Sequence, residues 1–306
     1  MSEQPSSALA AAMRDVAAAV EAALDRLLPR PAGGTAKLDE AIRYASLGGG
    51  KRLRALLTVA AADLFGVPRD RSLRTAAAIE MLHAYSLVHD DLPCMDDDDL
   101  RRGKPTVHRA FDEAAAVLAG DGLQTQAFFV LADPETHPDA AVQAALVAGL
   151  ALAAGPRGMV GGQAIDLAAE ARTAAGQPLS YDEIADLQAL KTGALIRFSA
   201  EAGAILGQAG AADRAVLRDY AAELGLAFQI ADDLLDHEGS AAEVGKAVGK
   251  DAAAGKATFV GLLGLDGART KARALTNSAK SRLATQFGPR SVVLQELAEF
   301  VITRRS

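Results

Sequence analysis

The sequence predicts an all-α protein, a bundle of ten or more helices in one domain that spans residues 1–306. Half of the residues are hydrophobic, and most of these are alanine and leucine, which have high helix propensities. Apolar residues recur at helical spacing, and the alternation that is typical of strands is absent. No proline- or serine-rich linker divides the sequence, so a single domain is expected.

Glycine and proline residues separate the predicted helices, because both residue types end or interrupt helices. The predicted helices are Leu9–Leu28, Lys37–Leu47, Lys51–Phe65, Arg71–Asp91, Ala110–Ala132, Ala140–Ala154, Gly161–Ala174, Tyr181–Leu206, Ala212–Leu235, Thr258–Leu265, Ala268–Gln286 and Val292–Thr303. The fourth helix ends at an aspartate pair, since Pro93 prevents a regular continuation.

Charge and cysteine content narrow the possible partners and the compartment. The net charge of −7 argues against nucleic acid, which requires a basic surface, but permits a small phosphorylated ligand. The single cysteine, Cys94, cannot form an internal disulfide, which fits a reducing compartment such as the cytoplasm. The N-terminus has no secretory pattern. The uncharged run Ala140–Pro156 is too short to span a bilayer and is interpreted as a buried core helix, so no membrane span is expected.

An aspartate motif, DDLLD, occupies Asp232–Asp236 at the end of an apolar stretch. Asp232 and Asp236 are four residues apart and therefore lie on the same face of a helix, one turn apart. Their negative charges repel each other, and a hard cation would relieve this repulsion. Considered alone, the motif is equally compatible with a solvated acidic face.

A second acidic cluster holds six aspartates within ten residues, from Asp90 to Asp99, and is followed by Arg101, Arg102 and Lys104. An acidic loop beside a basic turn would explain it, but its first two aspartates follow an apolar helix, as the DDLLD motif does. Two such clusters that face each other across a cavity could hold Mg²⁺ ions. The adjacent arginines have the planar geometry that suits phosphate oxygens.

Seven segments, in this order, resemble the trans-isoprenyl diphosphate synthases, specifically the short-chain bacterial farnesyl/geranylgeranyl type. The segments are Gly48–Arg54, Glu80–Thr106, Ala119–Leu123, Gly158–Leu167, Lys191–Ile196, Phe228–Asp236 and Gly245–Phe259. They cover most of the chain. The resemblance implies the isoprenoid synthase fold, which is an orthogonal helical bundle around a central cavity. It also implies a homodimer and the head-to-tail condensation of isopentenyl diphosphate with dimethylallyl and then geranyl diphosphate.

The resemblance also implies a role for individual residues. Three Mg²⁺ ions, for which Mn²⁺ could substitute, would hold the allylic diphosphate on six carboxylates: Asp90, Asp91, Asp96, Asp232, Asp233 and Asp236. The basic residues that contact the same diphosphate would be Arg101, Lys191, Lys246 and Lys256. Isopentenyl diphosphate would bind without metal to Gly50, Lys51, Arg54, His83 and Arg102. Thr192 and Gln229, with the Lys191 carbonyl, resemble the dipoles that stabilise an allylic carbocation.

Other residues of the motifs have weaker or alternative interpretations. Gln163 and Asp166 either begin a helix or lie near the metal-bound waters. His89 is expected to be structural or to lie behind the metal ligands, and Cys94 to be passive. The three aspartates 97–99 are expected to be partly solvated and helix-capping. Arg304 and Arg305 are interpreted as a solvated tail rather than as groups that close the site.

The sequence departs from the family pattern at two positions. Ala55 stands where the family usually has proline, and Gln188 stands where a histidine often precedes the Lys-Thr-Gly motif. Neither change removes a charged ligand.

Product length depends on the residues one to two turns before Asp90, which would form the floor of the chain-elongation cavity. Tyr85 lies five residues before Asp90 and Ser86 lies four before. A tyrosine here resembles the farnesyl type and predicts a C15 product.

The alternatives are a geranylgeranyl diphosphate synthase, a class I terpene cyclase, a non-catalytic prenyltransferase subunit and a metal-buffering helical protein. A cyclase would leave Lys51, Arg54, His83 and Arg102 unexplained, and non-catalytic subunits commonly lose one aspartate motif.

Overall fold

The computed structural model describes residues 7–238 and 258–304. Lys246, Lys256 and Arg305 therefore lie outside the described residues. In the described part, the helices are α1 (Ser7–Leu27), α2 (Ala36–Ser46), α3 (Leu53–Asp63), α4 (Arg69–Asp90), α5 (Val107–Ala110), α6 (Glu113–Ala132), α7 (Ala140–Ala154), α8 (Met159–Ala174), α9 (Tyr181–Lys191), α10 (Gly193–Leu206), α11 (Ala211–Glu238), α12 (Phe259–Phe287) and α13 (Val292–Thr303). Short 3₁₀ segments, Gly33–Thr35 and Gly288–Ser291, precede α2 and α13.

Several helices begin at a side chain that caps free backbone N–H groups. Asp112 accepts a hydrogen bond from the Ala115 N–H at the start of α6. Ser180 and Glu183 form a capping box at the start of α9. These local features explain why the predicted helices begin close to their observed first residues.

Helices α4 and α10 lie at the centre of the bundle. Helix α4 packs against α1, α3 and α6, and α10 packs against α3, α7 and α11. Long runs of both helices are buried, Ser72–Leu82 in α4 with one exception, and most of α10. A smaller apolar cluster joins α8, α9, α11 and α12. The first aspartate motif thus follows a core helix.

The structure differs from the predicted elements at several places. The segments predicted as two helices, Thr258–Leu265 and Ala268–Gln286, form the single helix α12, in which Gly264 has non-helical angles (φ 68°, ψ 165°). The segment predicted as one helix, Tyr181–Leu206, divides at Thr192. This residue has a φ of −109° and is the N-cap of α10. Helix α11 continues through the DDLLD motif to Glu238 instead of ending at Leu235. A two-stranded hairpin pairs β1 (Leu100–Arg101) with β2 (Lys104–Pro105), and strands of two residues are too short to produce a visible alternation.

Helix α7 is not the buried core helix that the sequence predicted. Its buried face includes Leu146 and Leu150, but Leu152 is 57% exposed. Judged by length and composition alone, two stretches could cross a membrane, Glu113–Ala132 and Ala140–Thr173. The second stretch is interrupted by the turn between α7 and α8, and the 15 residues of α7 span only about 22 Å. An exposed apolar face on a short helix fits a protein contact as well as a lipid contact.

Candidate active site

The first aspartate motif forms a turn that folds back onto the end of α4. The Asp96 N–H donates to the Asp90 carbonyl oxygen at 2.9 Å, and Asp97 adopts a positive φ of 49°. The turn therefore has the kinked form that Pro93 predicts, and it brings Asp96 beside Asp90.

Arg101, the last residue of β1, neutralises Asp91. Its Nε and Nη2 atoms donate to the Asp91 carboxylate at 2.5–2.8 Å. Burial lowers the pKa of Arg101, but the hydrogen bond to Asp91 and the charges of Asp91, Asp98 and Asp90 together outweigh burial and raise that pKa. The two side chains therefore form a charged pair.

The environment of Asp90 disfavours a negative charge. Burial raises the pKa of Asp90 to about 6, with Lys191 lowering it and Asp96 raising it further. A cation at this position would favour the ionised form.

The second aspartate motif lies within α11, and its partners come from distant parts of the sequence. Arg304 Nη2 donates to Asp232 Oδ1 at 2.5 Å, and the Arg304 guanidinium lies 4.1 Å from the centre of the Phe228 ring. The Phe259 N–H, at the start of α12, donates to Asp233 Oδ2 at 2.7 Å. The Arg304 side chain is only 7% exposed, so its interpretation as part of a solvated tail was wrong. Nothing in the local sequence indicates this contact.

A basic cluster surrounds the loop between α2 and α3. Gly48, Gly49 and Gly50 have φ angles of 91°, 129° and 109°, which only glycine adopts readily. At Gly50 a Cβ atom would lie 2.6 Å from Arg102 Nη1, so the glycine allows that guanidinium to approach. Arg102 Nη1 donates to the Gly49 carbonyl oxygen at 3.1 Å.

His83, on α4, faces the same basic cluster. Burial lowers its pKa well below the usual value, and the nearby charges of Arg54 and Arg102 lower it further. The His83 imidazole is therefore neutral at pH 7. Burial also lowers the pKa of Lys51, with Arg304 adding to the effect and Asp232 opposing it, which places Lys51 near the second motif.

The junction of α9 and α10 connects the helices that carry the two motifs. Lys191 Nζ donates to Asp166 Oδ2 at 2.5 Å and acts electrostatically on Asp90. On the other side, Gln229 Nε2 donates to Gln188 Oε1 at 2.7 Å. Gln188, the departure from the family pattern, thus orients Gln229. The sequence identified Asp166 only as one of two alternatives, and it did not identify Gln188 as a partner.

Gln163 has unsatisfied hydrogen-bonding capacity next to this junction. Both polar atoms of its side chain are buried and have no hydrogen-bond partner among the described residues. Gly162 allows α8 to approach the Lys191 backbone closely. A buried amide without a partner is costly, so a water or ligand oxygen here would be stabilising.

The residues that were predicted to set product length lie on α4. The Tyr85 ring contacts the His89 ring edge-on, with centroids 4.9 Å apart. Ser86 Oγ donates to the His83 carbonyl oxygen at 2.8 Å. His89 Nε2 lies 3.1 Å from the Val117 carbonyl oxygen, in agreement with a structural role. The Val117 carbonyl oxygen of α6 thus holds His89, and with it the Tyr85 ring, in place just before the first motif.

The remaining aspartates of the first cluster form ion pairs rather than helix caps. Asp97 and Asp99 pair with Arg109, at 3.8 and 2.5 Å, and Asp98 lies 4.0 Å from Arg101. The helix-capping part of their prediction was therefore wrong. Cys94 is exposed in the turn.

The chemistry of the carboxylates fits Mg²⁺. This ion binds one or two protein carboxylates and completes its shell with water and ligand phosphate oxygens. Within residues 7–238 and 258–304, no three acidic, histidine or cysteine side chains converge closely enough to hold an ion unaided. The site therefore fits an ion that arrives with a phosphorylated ligand, not one enclosed by protein ligands. An open cleft with about 600 Å³ of empty space is bordered by Gly48, Asp91, Arg101, Arg102 and Lys104.

Fold and site together define an all-α protein with two acidic motifs beside a basic cluster, a combination suited to polyphosphate ligands. A sequence profile described as polyprenyl synthetase matches residues 35–287, and the chain belongs to this family. It is 48% identical to a farnesyl diphosphate synthase of Geobacillus stearothermophilus over 83% of this chain and 84% of the relative. It is 46% identical to the farnesyl diphosphate synthase of Escherichia coli K12, over 87% and 88% of the two chains.

The fold has a close counterpart among solved structures. A crystal structure described as an FPP/GFPP synthase from Zymomonas mobilis, without ligand, superposes with a TM-score of 0.88 and 49% identity. The match covers 96% of this chain and 98% of the other. The predicted family, the all-α fold and the prenyltransferase class are therefore confirmed.

Proposed function

We propose that the protein condenses isopentenyl diphosphate with dimethylallyl and then geranyl diphosphate, and releases (E,E)-farnesyl diphosphate and pyrophosphate. The observation that carries this proposal is that the site has two different walls, each of which could bind a diphosphate, one through metal ions and the other directly. One wall is made of carboxylates paired with cations, and the other is a basic cluster around the Gly48–Gly50 loop. A condensing enzyme requires two diphosphate sites, whereas a cyclase requires only one.

The carboxylate wall is proposed to bind the allylic diphosphate. Asp90, Asp91 and Asp96 from the first motif, and Asp232, Asp233 and Asp236 from the second, would hold Mg²⁺ there. When bound, Mg²⁺ supplies positive charge to the diphosphate oxygens as the allylic carbon–oxygen bond breaks. Asp91 and Asp232 would exchange their arginine partners for the ion, and Asp233 would retain its role at the start of α12.

The basic cluster is proposed to bind isopentenyl diphosphate without metal. Lys51, Arg54 and Arg102 supply cationic donors, and Gly50 leaves room for a phosphate oxygen beside the backbone. The neutral His83 contributes a hydrogen bond rather than a charge, since its pKa is lowered by burial and by the surrounding arginines.

The chain's own residues account for the remaining chemistry. Arg101 and Lys191 stabilise the departing diphosphate, and Lys246 and Lys256 are expected to join them, although both lie outside the described residues. The Thr192 hydroxyl, the Gln229 amide oxygen and the Lys191 carbonyl oxygen direct negative dipoles at the allylic carbocation. The isopentenyl double bond attacks that carbon, a carbon–carbon bond forms, and the released pyrophosphate takes the proton that leaves C2 of the isopentenyl unit.

The proposed C15 product rests on Tyr85, which with Ser86 beside it would form the floor of the chain-elongation cavity. The contact between Tyr85 and His89 supports a fixed ring one turn before Asp90. Geranylgeranyl diphosphate is the alternative product, and relatives named geranylgeranyl pyrophosphate synthases, which are 42% identical to this chain, support it.

A cytoplasmic homodimer with one polyprenyl synthase domain over residues 1–306 is proposed as the working form. Helices α6 and α7 expose large apolar side chains, namely Leu118, Phe129 and Leu152. A second copy of the chain would cover this surface. Sedimentation measures the mass of the unaltered protein and of Phe129→Glu, and we expect a dimer for the first and a monomer for the second. A monomer for the unaltered protein would contradict the proposal.

The function is tested by incubating the protein with Mg²⁺, labelled isopentenyl diphosphate and geranyl diphosphate, and then measuring product chain length. We expect C15 product and no turnover after chelation with EDTA. Asp219→Asn, on the same helix as the second motif but paired with Arg282 at 3.1 Å, is a matched control and should remain active. No condensation would contradict the proposal, C20 product would support the geranylgeranyl alternative, and cyclised product would support a cyclase.

A further inference from the structure

Two charged residues of the family motifs have no part in the proposed chemistry and are buried. Arg52 is 8% exposed and Glu80 is 4% exposed. Charged side chains are rarely buried to this extent unless they are paired. Surface charge that keeps a protein in solution does not explain these two side chains, because both are buried.

The two side chains belong to an ion-pair cluster that also includes Glu21 of α1. Arg52 Nη1 donates to Glu80 Oε2 at 3.1 Å, and Arg52 Nη2 donates to Glu21 Oε2 at 2.8 Å. Arg52 Nη2 also donates to the Ser46 carbonyl oxygen at 2.6 Å. The guanidinium thus joins α1, the end of α2 and α4.

Both carboxylates also bind the backbone of the loop itself. The Gly48 N–H donates to Glu21 Oε1 at 2.5 Å, and the Ala55 N–H donates to Glu80 Oε1 at 3.1 Å. The segment that contains Lys51 and Arg54 is therefore held at its beginning, its middle and its end. We call Glu21, Arg52 and Glu80 the loop clamp.

The bond at Ala55 exists because of a departure from the family pattern. Proline, which is usual at this position, has no N–H and could not donate to Glu80. In this chain Glu80 gains a backbone donor, so the clamp reaches the first turn of α3.

The loop conformation needs such support. Its three glycines have positive φ angles, and Arg52 itself has φ 48° and ψ 41°, an unfavourable region for a residue with a side chain. Glycine also loses much conformational entropy when it is ordered. With the Arg52 side chain directed inward, its neighbour Lys51 is exposed to the site.

The clamp also supplies negative charge where cations crowd together. Burial lowers the pKa of both Arg54 and Arg102, and the charge of Glu80 opposes this in each case. The buried Glu80 carboxylate thus favours the charged form of both guanidinium groups and offsets part of their mutual repulsion.

We propose that Glu80 and Glu21, acting through Arg52, are positioning residues that fix Lys51 and Arg54 for isopentenyl diphosphate. This inference rests on the proposed function, since it assigns a supporting structure to the metal-free diphosphate site. The backbone partners of the clamp, Ser46, Gly48 and Ala55, all lie in or beside the loop of the basic cluster, so its loss should impair one substrate and spare the other.

The test uses Glu80→Gln in the full-length chain, with Glu223→Gln as the matched control. Glu223 is likewise a paired carboxylate, with its side chain 18% exposed, but its partner is Arg282 at 3.1 Å, and the pair joins α11 to α12. Binding of isopentenyl diphosphate is measured by calorimetry in EDTA, and steady-state kinetics give KM for each substrate and kcat. For Glu80→Gln we expect a tenfold or larger loss of isopentenyl affinity, with the allylic KM within about twofold.

Glu21→Gln provides the same measurement should Glu80→Gln fail to fold, because the Glu21 side chain is 36% exposed and its loss is better tolerated. We expect about a threefold loss of isopentenyl affinity in this variant. Unchanged isopentenyl affinity in the folded variants, or an equal rise in both KM values, would overturn the positioning role. A parent protein that binds no isopentenyl diphosphate would instead refute the proposed function, and the positioning role with it.

Discussion

The two aspartate motifs share a sequence pattern but differ in what neutralises them. Asp91 is paired with Arg101, ten residues later in the chain, through a short hairpin. Asp232 is paired with Arg304, 72 residues later, at the end of α13. The first pair forms within one local structure, whereas the second requires the ends of two helices to meet.

The motifs also differ in burial. The Asp91 side chain is 3% exposed and the Asp232 side chain is 43% exposed. Removing the partner of a buried charge is costly, whereas a hydrated carboxylate can lose its partner at little cost. Arg304 is itself buried, but it also contacts the Phe228 ring and donates to the Val301 carbonyl oxygen, so it keeps partners when Asp232 binds an ion. The first motif is therefore part of the framework as well as the site, and the second can change partners more easily.

The largest expected effect falls on catalysis and should be similar for the two motifs. Asp90→Asn and Asp232→Asn should each reduce kcat by roughly 10²–10³-fold, since each removes a charge that would stabilise the departing diphosphate through the ion. Steady-state rates at saturating Mg²⁺ measure this. A near-normal rate in either variant would limit the metal site to the other motif.

The next largest effect is on the free energy of unfolding, and it should differ between the two motifs. Asp91→Asn should lower the free energy of unfolding by about 3 kcal/mol, because Arg101 loses its buried partner. Asp232→Asn should lower it by less, about 1 kcal/mol, because the buried Arg304 keeps its contacts with the Phe228 ring and the Val301 carbonyl oxygen. Urea unfolding without ligand measures both, and equal losses would mean that burial does not distinguish the motifs.

Product length should depend on the helix of the first motif only. Tyr85→Ala should shift the product from C15 to longer chains when isopentenyl diphosphate is in excess, because a bulky ring is removed one turn before Asp90. Phe228→Ala, one turn before Asp232, is the comparison and should still give C15. Chromatography of the dephosphorylated products measures the lengths; C15 alone from Tyr85→Ala would exclude this ring as the floor.

The smallest expected effect concerns the counter-ion of the second motif. Arg304→Gln should raise the affinity of the ligand-free protein for Mn²⁺ by about fivefold, since a partly exposed pair is worth about 1 kcal/mol. Electron paramagnetic resonance of free Mn²⁺ measures the affinity. Arg218→Gln removes a similar pair with Glu201 and should have no effect. Unchanged affinity in Arg304→Gln would mean that Arg304 does not compete with metal.

Local patterns predicted most of the fold. The helices around Ala140–Ala154 and Val292–Thr303 were predicted to the residue, because glycine, proline and capping residues mark their ends. The break at Thr192 was not predicted, because the single glycine beside it, Gly193, does not by itself end a helix and the rest of Tyr181–Leu206 has helical spacing. The exposed face of α7 was also missed, since an alanine-rich helix looks equally apolar on every side.

The sequence by itself determined the family, the helical class and the residues that can carry the chemistry, because these depend on residue type and spacing. Only the tertiary structure decided which charges meet. Arg304 reaches Asp232, Gln188 reaches Gln229, and Glu80 reaches both Arg52 and the Ala55 N–H. These pairs join residues 25 to 72 positions apart. No local pattern specifies such contacts, because they form only when packing of the apolar helix faces brings separate segments within hydrogen-bonding distance.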